Sequence, residues 1–220
     1  MPSDIGFENK GFILPPLNEV DHVIQPSTPP PDFLFTLPAF GGHEERQERK
    51  RTLKERTEYV VNLANHSAPV VVWCHTNDEG DTLEKMITGA SQVAGKTPDE
   101  EKLEIYEAFQ AGQIRALVIK PKIGAFGLNW QHCAHVITFA SHSYEQYYQS
   151  VRRCWRFGQK NPVRLDVVAT EGEERVLKNM RSKAKKADAM FAHLVSEMNR
   201  AVRIERTENA TKKMESPSWL

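Results

Sequence analysis

Pro69-Val-Val-Val-Trp73 is four consecutive strand-forming apolar residues behind a proline, closed by the polar Cys74-His75-Thr76-Asn77. A short, unalternating apolar run of this kind is what a strand buried on both faces requires, and parallel sheets supply that burial. Downstream the pattern repeats with helices between. A helix is expected from about Asp81 to Val93. Thr97-Pro98-Asp99-Glu100 predicts another helix start, with Thr97 as cap, Pro98 in the first turn and Glu100 closing a capping box. That helix carries Leu103, Tyr106 and Phe109 and stops at Gly112. Ile114 to Ile119, His135 to Ala140 and Val163 to Ala169 read as further strands. A long helix follows, from about Glu173 towards Met198. Strands joined by helices of roughly a dozen residues imply right-handed crossovers and a mostly parallel sheet covered on both faces, an α/β fold.

Upstream of Pro69 the character changes. Prolines at 15, 16, 26, 29, 30, 31 and 38 interrupt any long regular element. Short strands are expected at Val20 to Ile24 and Phe33 to Leu37. A charged helix follows from about His43 to Asn65, its weak apolar stripe made of Leu53, Arg56, Tyr59/Val60 and Leu63. It reads as a solvated helix capping the main domain; basic residues from Arg46 to Arg56 have acidic ones interleaved. The chain thus divides into a Pro-rich and helical extension (1–68), a main α/β domain (69–200) and a polar tail (201–220).

Composition narrows the function. With 29 basic and 29 acidic residues the formal net charge is zero, so any nucleic-acid contact must come from a local patch. Hydrophobic residues make up 40% of the 220, enough for a globular core. No apolar run approaches the ~20 residues of a membrane span. Met1-Pro-Ser-Asp-Ile-Gly6 has neither the basic start nor the apolar stretch of a signal peptide. The three cysteines, Cys74, Cys133 and Cys154, suggest no disulfide framework and fit a reducing, cytoplasmic compartment. His132, Cys133 and His135 match no common zinc spacing, so no metal site is expected.

Two segments carry chemistry. In open α/β sheets ligands gather at the carboxyl ends of the strands. Lys120-Pro-Lys-Ile-Gly-Ala-Phe-Gly-Leu-Asn-Trp-Gln131 follows one strand; Gly124 and Gly127 allow close backbone approach, Asn129 offers an amide, and Lys120 and Lys122 offer charge. Gln149-Ser-Val-Arg-Arg-Cys-Trp-Arg-Phe-Gly-Gln159 follows the next. Set on a helix beginning at a Ser143/Gln146 capping box and ending at Gly158, Gln149, Arg153 and Arg156 share one stripe. Tyr148, Val151 and Trp155 then face a core. Paired guanidiniums are planar, permanently charged forks suited to phosphate.

These residues are similar to a known set. The region from about Val70 to Thr170 resembles the C-terminal RecA-like lobe of superfamily 2 helicases, nearest the Swi/Snf-like branch and its bacteriophage relatives. The Val70-to-His75 strand resembles motif IV. Gly95-Lys-Thr-Pro-Asp-Glu100 and its helix resemble the connector of that lobe. Gly124-Ala-Phe-Gly-Leu-Asn129 resembles motif V, and Gln149 to Gln159 resembles motif VI, Q-x-x-x-R-x-x-R-x-G-Q. Gly11-Phe-Ile-Leu-Pro-Pro16 is similar to the inter-lobe segment of the phage enzymes. Ala125, Trp130 and Lys120-Pro121 depart from the usual motif V pattern, the last pair replacing a Ser-Thr that supplies a hydroxyl.

The resemblance implies a RecA-like three-layer α/β/α domain and a division of labour. ATP and Mg²⁺ would lie between this lobe and an N-terminal RecA-like lobe, on another chain or in a missing part of the gene. No G-x-x-x-x-G-K-[ST] loop occurs in the 220 residues, and the D-E-x-[HD]-like run Asp78-Glu79-Gly80-Asp81 does not end a strand as a magnesium-binding run would, so this chain alone is expected to bind neither and to be inactive alone. Arg153 and Arg156 would act as arginine fingers. Gln149, Gly124, Gly127 and Asn129 would contact nucleotide, and Lys120, Lys122 and Asn129 would contact DNA. The implied activity is ATP-dependent helicase or translocase action on DNA, in a bacterial host cytoplasm if the gene is phage-derived. A non-catalytic, nucleic-acid-binding remnant lobe is the alternative. A third class, an unrelated α/β protein for a phosphorylated small molecule, would call for a strand-linked G-x-G-x-x-G, which is absent.

Overall fold

The computed structural model describes residues 13–27, 42–124 and 128–211, the side chains of 199 and 201–211 excepted. Its strands are β1 (Leu17–Ile24), β2 (Val70–Trp73), β3 (Ala90–Val93), β4 (Ala116–Ile119), β5 (His135–Phe139) and β6 (Val163–Thr170). They form one sheet of order β1-β6-β5-β2-β4-β3, and every pairing is parallel. The helices are α1 (Gly42–Arg51), α2 (Leu53–Leu63), α3 (Asn77–Met86), α4 (Asp99–Gln110), the single turn α5 (Pro121–Gly124), α6 (Tyr144–Val151) and α7 (Glu174–Thr211).

Strand periodicity builds the three layers. Successive side chains leave a strand on opposite faces. Val71, Trp73, Leu117, Ile119, Val136, Leu165 and Val167 point to one side, where Phe109 of α4, Tyr147 and Val151 of α6 and Leu177 and Met180 of α7 cover them. Val70, Val72, Val118, Ile137 and Val168 point to the other, under Val60 of α2 and Leu83 of α3. The apolar runs of β2 and β4 are buried at every position.

The N-terminal strand is longer than its sequence suggests. β1 pairs with β6 along its whole length, from Leu17 opposite Val163 to Ile24 opposite Thr170. The second expected strand, Phe33 to Leu37, lies outside the described residues. Three other expectations are corrected. The helix expected over Asp81 to Val93 is a helix and a strand. A capping box between Thr76 and Glu79 starts α3 early, Ile87 leaves it with extended backbone, Gly89 turns at φ +72, and β3 joins the sheet edge. Thr97 does not cap α4: its hydroxyl accepts from the Ala94 N–H at 3.1 Å, and Pro98 takes the cap position without a side-chain bond.

The charged helix is two helices, broken at Thr52, and only one side of it is solvated; the other is buried. Thr52, Arg56 and Thr57 are fully buried. Arg56 Nη1 meets Glu79 Oε1 at 2.7 Å, with both side chains wholly inside. α7 begins on the core with Val176, Leu177 and Met180 and continues past the body, exposing Met190, Phe191, Leu194, Val195 and Met198. Among the described residues no helix is long and apolar enough to cross a membrane.

Candidate functional site

The Arg-rich segment starts as expected and ends early. Ser143 caps α6, its hydroxyl accepting from the Gln146 N–H at 3.2 Å. The helix stops at Val151, so Arg153 and Arg156 sit in the turns that follow and not on a continuous rod. Bonds three residues back make those turns: Arg153 N–H to Ser150 O at 3.4 Å, and Cys154 N–H to Val151 O at 3.1 Å. Two outside contacts hold them. Trp155 Nε1 donates to Pro15 O at 2.7 Å, and Trp130 N–H donates to Arg153 O at 2.9 Å.

The inward face is also one residue out. Tyr147, not Tyr148, enters the core with Val151 and Cys154. Its hydroxyl donates to Glu19 Oε1 at 2.8 Å and accepts from Arg181, fixing α6 to β1 and α7. Tyr148 is half-buried and lies under the Arg152 guanidinium, 5.0 Å from its ring centre.

Arg153 was expected on an exposed stripe but is only 8% exposed. Its guanidinium donates to Gln149 Oε1 at 3.3 Å and Leu128 O at 3.4 Å, and its Nε has no partner among the described residues. Burial, then the neighbouring Arg156, pulls its pKa down, though a guanidinium stays charged at neutral pH. Arg156 bonds Asn129 Oδ1. No carboxylate pairs with either arginine among the described residues. Two close cations bonded only to neutral oxygens keep their charge available for an anion.

Gln149, Arg153, Arg156 and Asn129 are therefore together, at the C-terminal end of α6. Gln159, which closes the motif, is buried and donates to Cys133 O and Cys154 O, so it braces the turn. Gly124 is buried against Trp73 and Ile119; a Cβ there would lie 2.9 Å from each. Gly127 lies outside the described residues.

Lys120 and Lys122 are elsewhere. They line a cleft of about 540 Å³ at the carboxyl ends of β2, β4 and β5, along with Cys74, His75 and Gln146, and with Arg46 and Lys50 of α1. Lys120 Nζ donates to Asn77 Oδ1. Burial pushes the Cys74 thiol up to about 12, helped by Glu79, so it is no nucleophile. Burial pulls the His75 imidazole down, against the opposing pull of Glu79, and keeps it neutral. Arg46 and Lys50 were not singled out in the sequence as site residues. Their i, i+4 spacing was the available signal, obscured by the acidic residues between them. His132, Cys133 and His135 do not form a ligand set: His135 bonds Asp166 at 2.6 Å and the Cys133 thiol donates to backbone carbonyls.

The family described as "Helicase conserved C-terminal domain" matches residues 52–158, a little under half of the chain. No curated protein matches. The solved structures similar to this chain include a DEAD box protein from the hyperthermophile Methanococcus jannaschii, at 19% identity and a TM-score of 0.54, over 60% of this chain and 37% of that one. The E. coli DEAD-box protein SrmB, bound to regulator of ribonuclease activity A, is 17% identical with a TM-score of 0.50, over 58% of this chain and 78% of that one. The C-terminal part of the Fun30 ATPase domain is 19% identical, with a TM-score of 0.48, over 61% of this chain and 44% of that one. The matched part thus spans under half of the Fun30 and M. jannaschii chains. The fold is RecA-like, of the kind found in helicase C-terminal domains.

Proposed function

We propose that this chain, whose residues 52–158 carry a helicase C-terminal domain, is the second motor lobe of an ATP-dependent superfamily 2 helicase or translocase. Its substrate in this reading is DNA, and its nearest kin are the Swi/Snf-like branch and phage enzymes. The observation that carries the reading is Arg153, nine-tenths buried beside Arg156 with no carboxylate among the described residues to neutralise either. That donor set fits the phosphate end of a nucleotide. It does not fit a magnesium ion, which needs oxygen ligands that a first lobe would bring.

The nucleotide, held mainly by that first lobe, supplies the phosphoryl group. Arg153 and Arg156 place fixed positive charge where negative charge builds during its transfer, in a partly dehydrated setting that strengthens the effect. Gln149 holds Arg153 in place, and Asn129 does the same for Arg156. Asn129 follows the cleft lysines by only a few residues in the sequence, so it links the arginine pair to the nucleic-acid side. Contacts there go to phosphates, which makes the grip indifferent to sequence.

The test is reconstitution. The chain alone, with Mg-ATP and DNA, should show no turnover. Joined to a first lobe bearing a phosphate loop it should hydrolyse ATP, and Arg156→Ala should lower that rate by ~10³-fold or more. Equal turnover in the variant would point instead to a nucleic-acid-binding lobe without a catalytic role.

A further inference from the structure

α1 reaches the cleft with one stripe of side chains already committed. Glu45, Glu48, Arg49 and Thr52 are spaced at i, i+3, i+4 and i+7, which aligns them along the helix. Glu45 Oε1 lies 2.6 Å from His142 Nε2. Glu48 Oε1 accepts from the Thr170 hydroxyl at 2.9 Å. Arg49 donates to Glu173 Oε1 at 2.7 Å and Ala140 O at 2.9 Å. Arg56 reaches back from α2 to the Arg49 carbonyl at 2.7 Å. These bonds pin α1 to the segments that leave β5 and β6.

The adjacent stripe is Arg46, Lys50 and Leu53, again at i, i+4 and i+7, and all three line the cleft. Lys120 and Lys122 line it too, from the segment after β4. Arg46, Lys50 and Lys122 are exposed. None of the three has a hydrogen-bond or ion-pair partner among the described residues. Asp78 is the sole acid in the lining among the described residues. The net charge of zero for the whole chain thus conceals a concentrated positive cleft.

We infer that α1 is a rigid arm that grips the sugar–phosphate backbone of a single nucleic-acid strand over the carboxyl ends of β2 and β4, with Arg46 and Lys50 on one side and Lys122 on the other. The inference rests on the nucleic-acid reading above and adds residues that precede the matched domain. A strand suits the cleft better than a free nucleotide. Among the described residues the lining holds no Phe, Tyr or Trp on which a base could stack, and its single imidazole, His75, is turned to the Phe139 carbonyl, so phosphate is what it can hold, and successive phosphates supply charge to several cations at once. Because the docked stripe orders α1 in advance, little ordering cost falls on binding.

The measurement is fluorescence anisotropy of the full 220-residue chain with a labelled oligothymidylate across a salt series. Arg46→Glu/Lys50→Glu is compared with Lys85→Glu/Lys96→Glu, an equal charge change at exposed positions outside the cleft lining, and with Lys120→Glu/Lys122→Glu. The α1 pair should weaken binding about tenfold or more at low salt, with the distant pair near wild type. A neutral pair, Arg46→Gln/Lys50→Gln, should flatten the slope of log K against log salt by about 1.4, two contacts at about 0.7 each; it stands in for the charge-reversed pair if a thermal melt shows that pair unfolded. If the α1 pairs behave like the distant pair while the Lys120/Lys122 pair loses binding, the arm is wrong and the nucleic-acid reading survives. If no pair matters, or the wild type fails to bind at low salt, both fall. Displacement of the strand by ATP at equal phosphate concentration would overturn the arm in favour of a nucleotide pocket.

Discussion

Arg56 shows how far a single side chain can depart from its apparent role. In the sequence it belongs to a run of surface-like basic residues. In the fold it is fully buried, paired to Glu79, bonded to Thr52 Oγ1 and the Arg49 carbonyl, and set 4.8 Å from the Phe139 ring centre. Its place on the weak apolar stripe is a local hint of burial, but the pairing has no local signal, because the partner carboxylate is 23 residues away and belongs also to the capping box that Thr76 opens for α3. Burial raises the Glu79 pKa, and Arg56 outweighs that and keeps it ionised. Arg56→Ala would strand that buried charge. It should cost about 3–5 kcal/mol, read as a loss in the urea midpoint; a change under about 1 kcal/mol would mean that water reaches Glu79. Arg153 is the opposite case. It too is buried, yet its bonds are long and its partners neutral. Arg153→Met removes a desolvated charge and keeps the packing, so the isolated chain should hold or gain stability while a two-lobe assembly loses activity. A melting temperature lowered by several degrees would instead make Arg153 a structural residue. The arginine pair was legible as a pair; which member is buried was not, because that depends on where α6 ends.

At the scale of elements, legibility followed the apolar pattern. β2, β4, β5 and β6 are dense in valine, leucine and isoleucine and were read within a few residues of their bounds. β3 was missed because Ala90-Ser-Gln-Val93 buries only Val93 fully and occupies the sheet edge, where pairing to β4 suffices. α6 was placed correctly at its start, where a cap is a local signal, and wrongly at its end, where Pro15 and Trp130 draw the chain into turns. Its core face was misread for a related reason. Tyr147 and Tyr148 are adjacent, both spacings to Val151 are helical, and the choice is made by Glu19 and Arg181. Tyr147→Ala should therefore cost on the order of 3–5 kcal/mol, as large aromatic truncations in cores do, and Tyr148→Ala much less. Chemical denaturation of the two variants side by side decides it; equal losses would mean that α6 rotates to present both rings.

For the molecule as a whole, β1 is what turns the extension into part of the domain. It brings His22 against Asp166 at 2.7 Å, and Tyr59 of α2 bonds the other imidazole nitrogen at 2.9 Å. His135 and Arg164 reach the same carboxylate, and His66 bonds His135 at 2.7 Å. None of this was legible, since β1, α2, β5, β6 and the turn that holds His66 meet only through the strand order. It has a consequence for stability against pH. Burial pushes the Asp166 carboxyl up, but hydrogen bonds from His135, Arg164 and His22 outweigh it and hold it well below the usual carboxylate range. A depressed carboxylate stabilises the fold above its unfolded pKa of about 4, and that stability is lost as pH falls through the lower folded value. Burial pulls His66 and His75 in the other sense, with His135 and Arg115 adding to the effect at His66. Their folded forms resist protonation, so below about pH 6.5 the unfolded chain binds more protons and stability falls with pH there too. With formal net charge zero at neutral pH, these specific groups and not general repulsion should set the first part of the acid limb. Urea midpoints should decline from about pH 6.5 downward and fall again below about pH 4. His66→Phe, which cannot titrate, should flatten the upper step and leave the lower one. A midpoint constant from pH 8 to 5 in the wild-type chain would show that neither imidazole is held neutral by the fold.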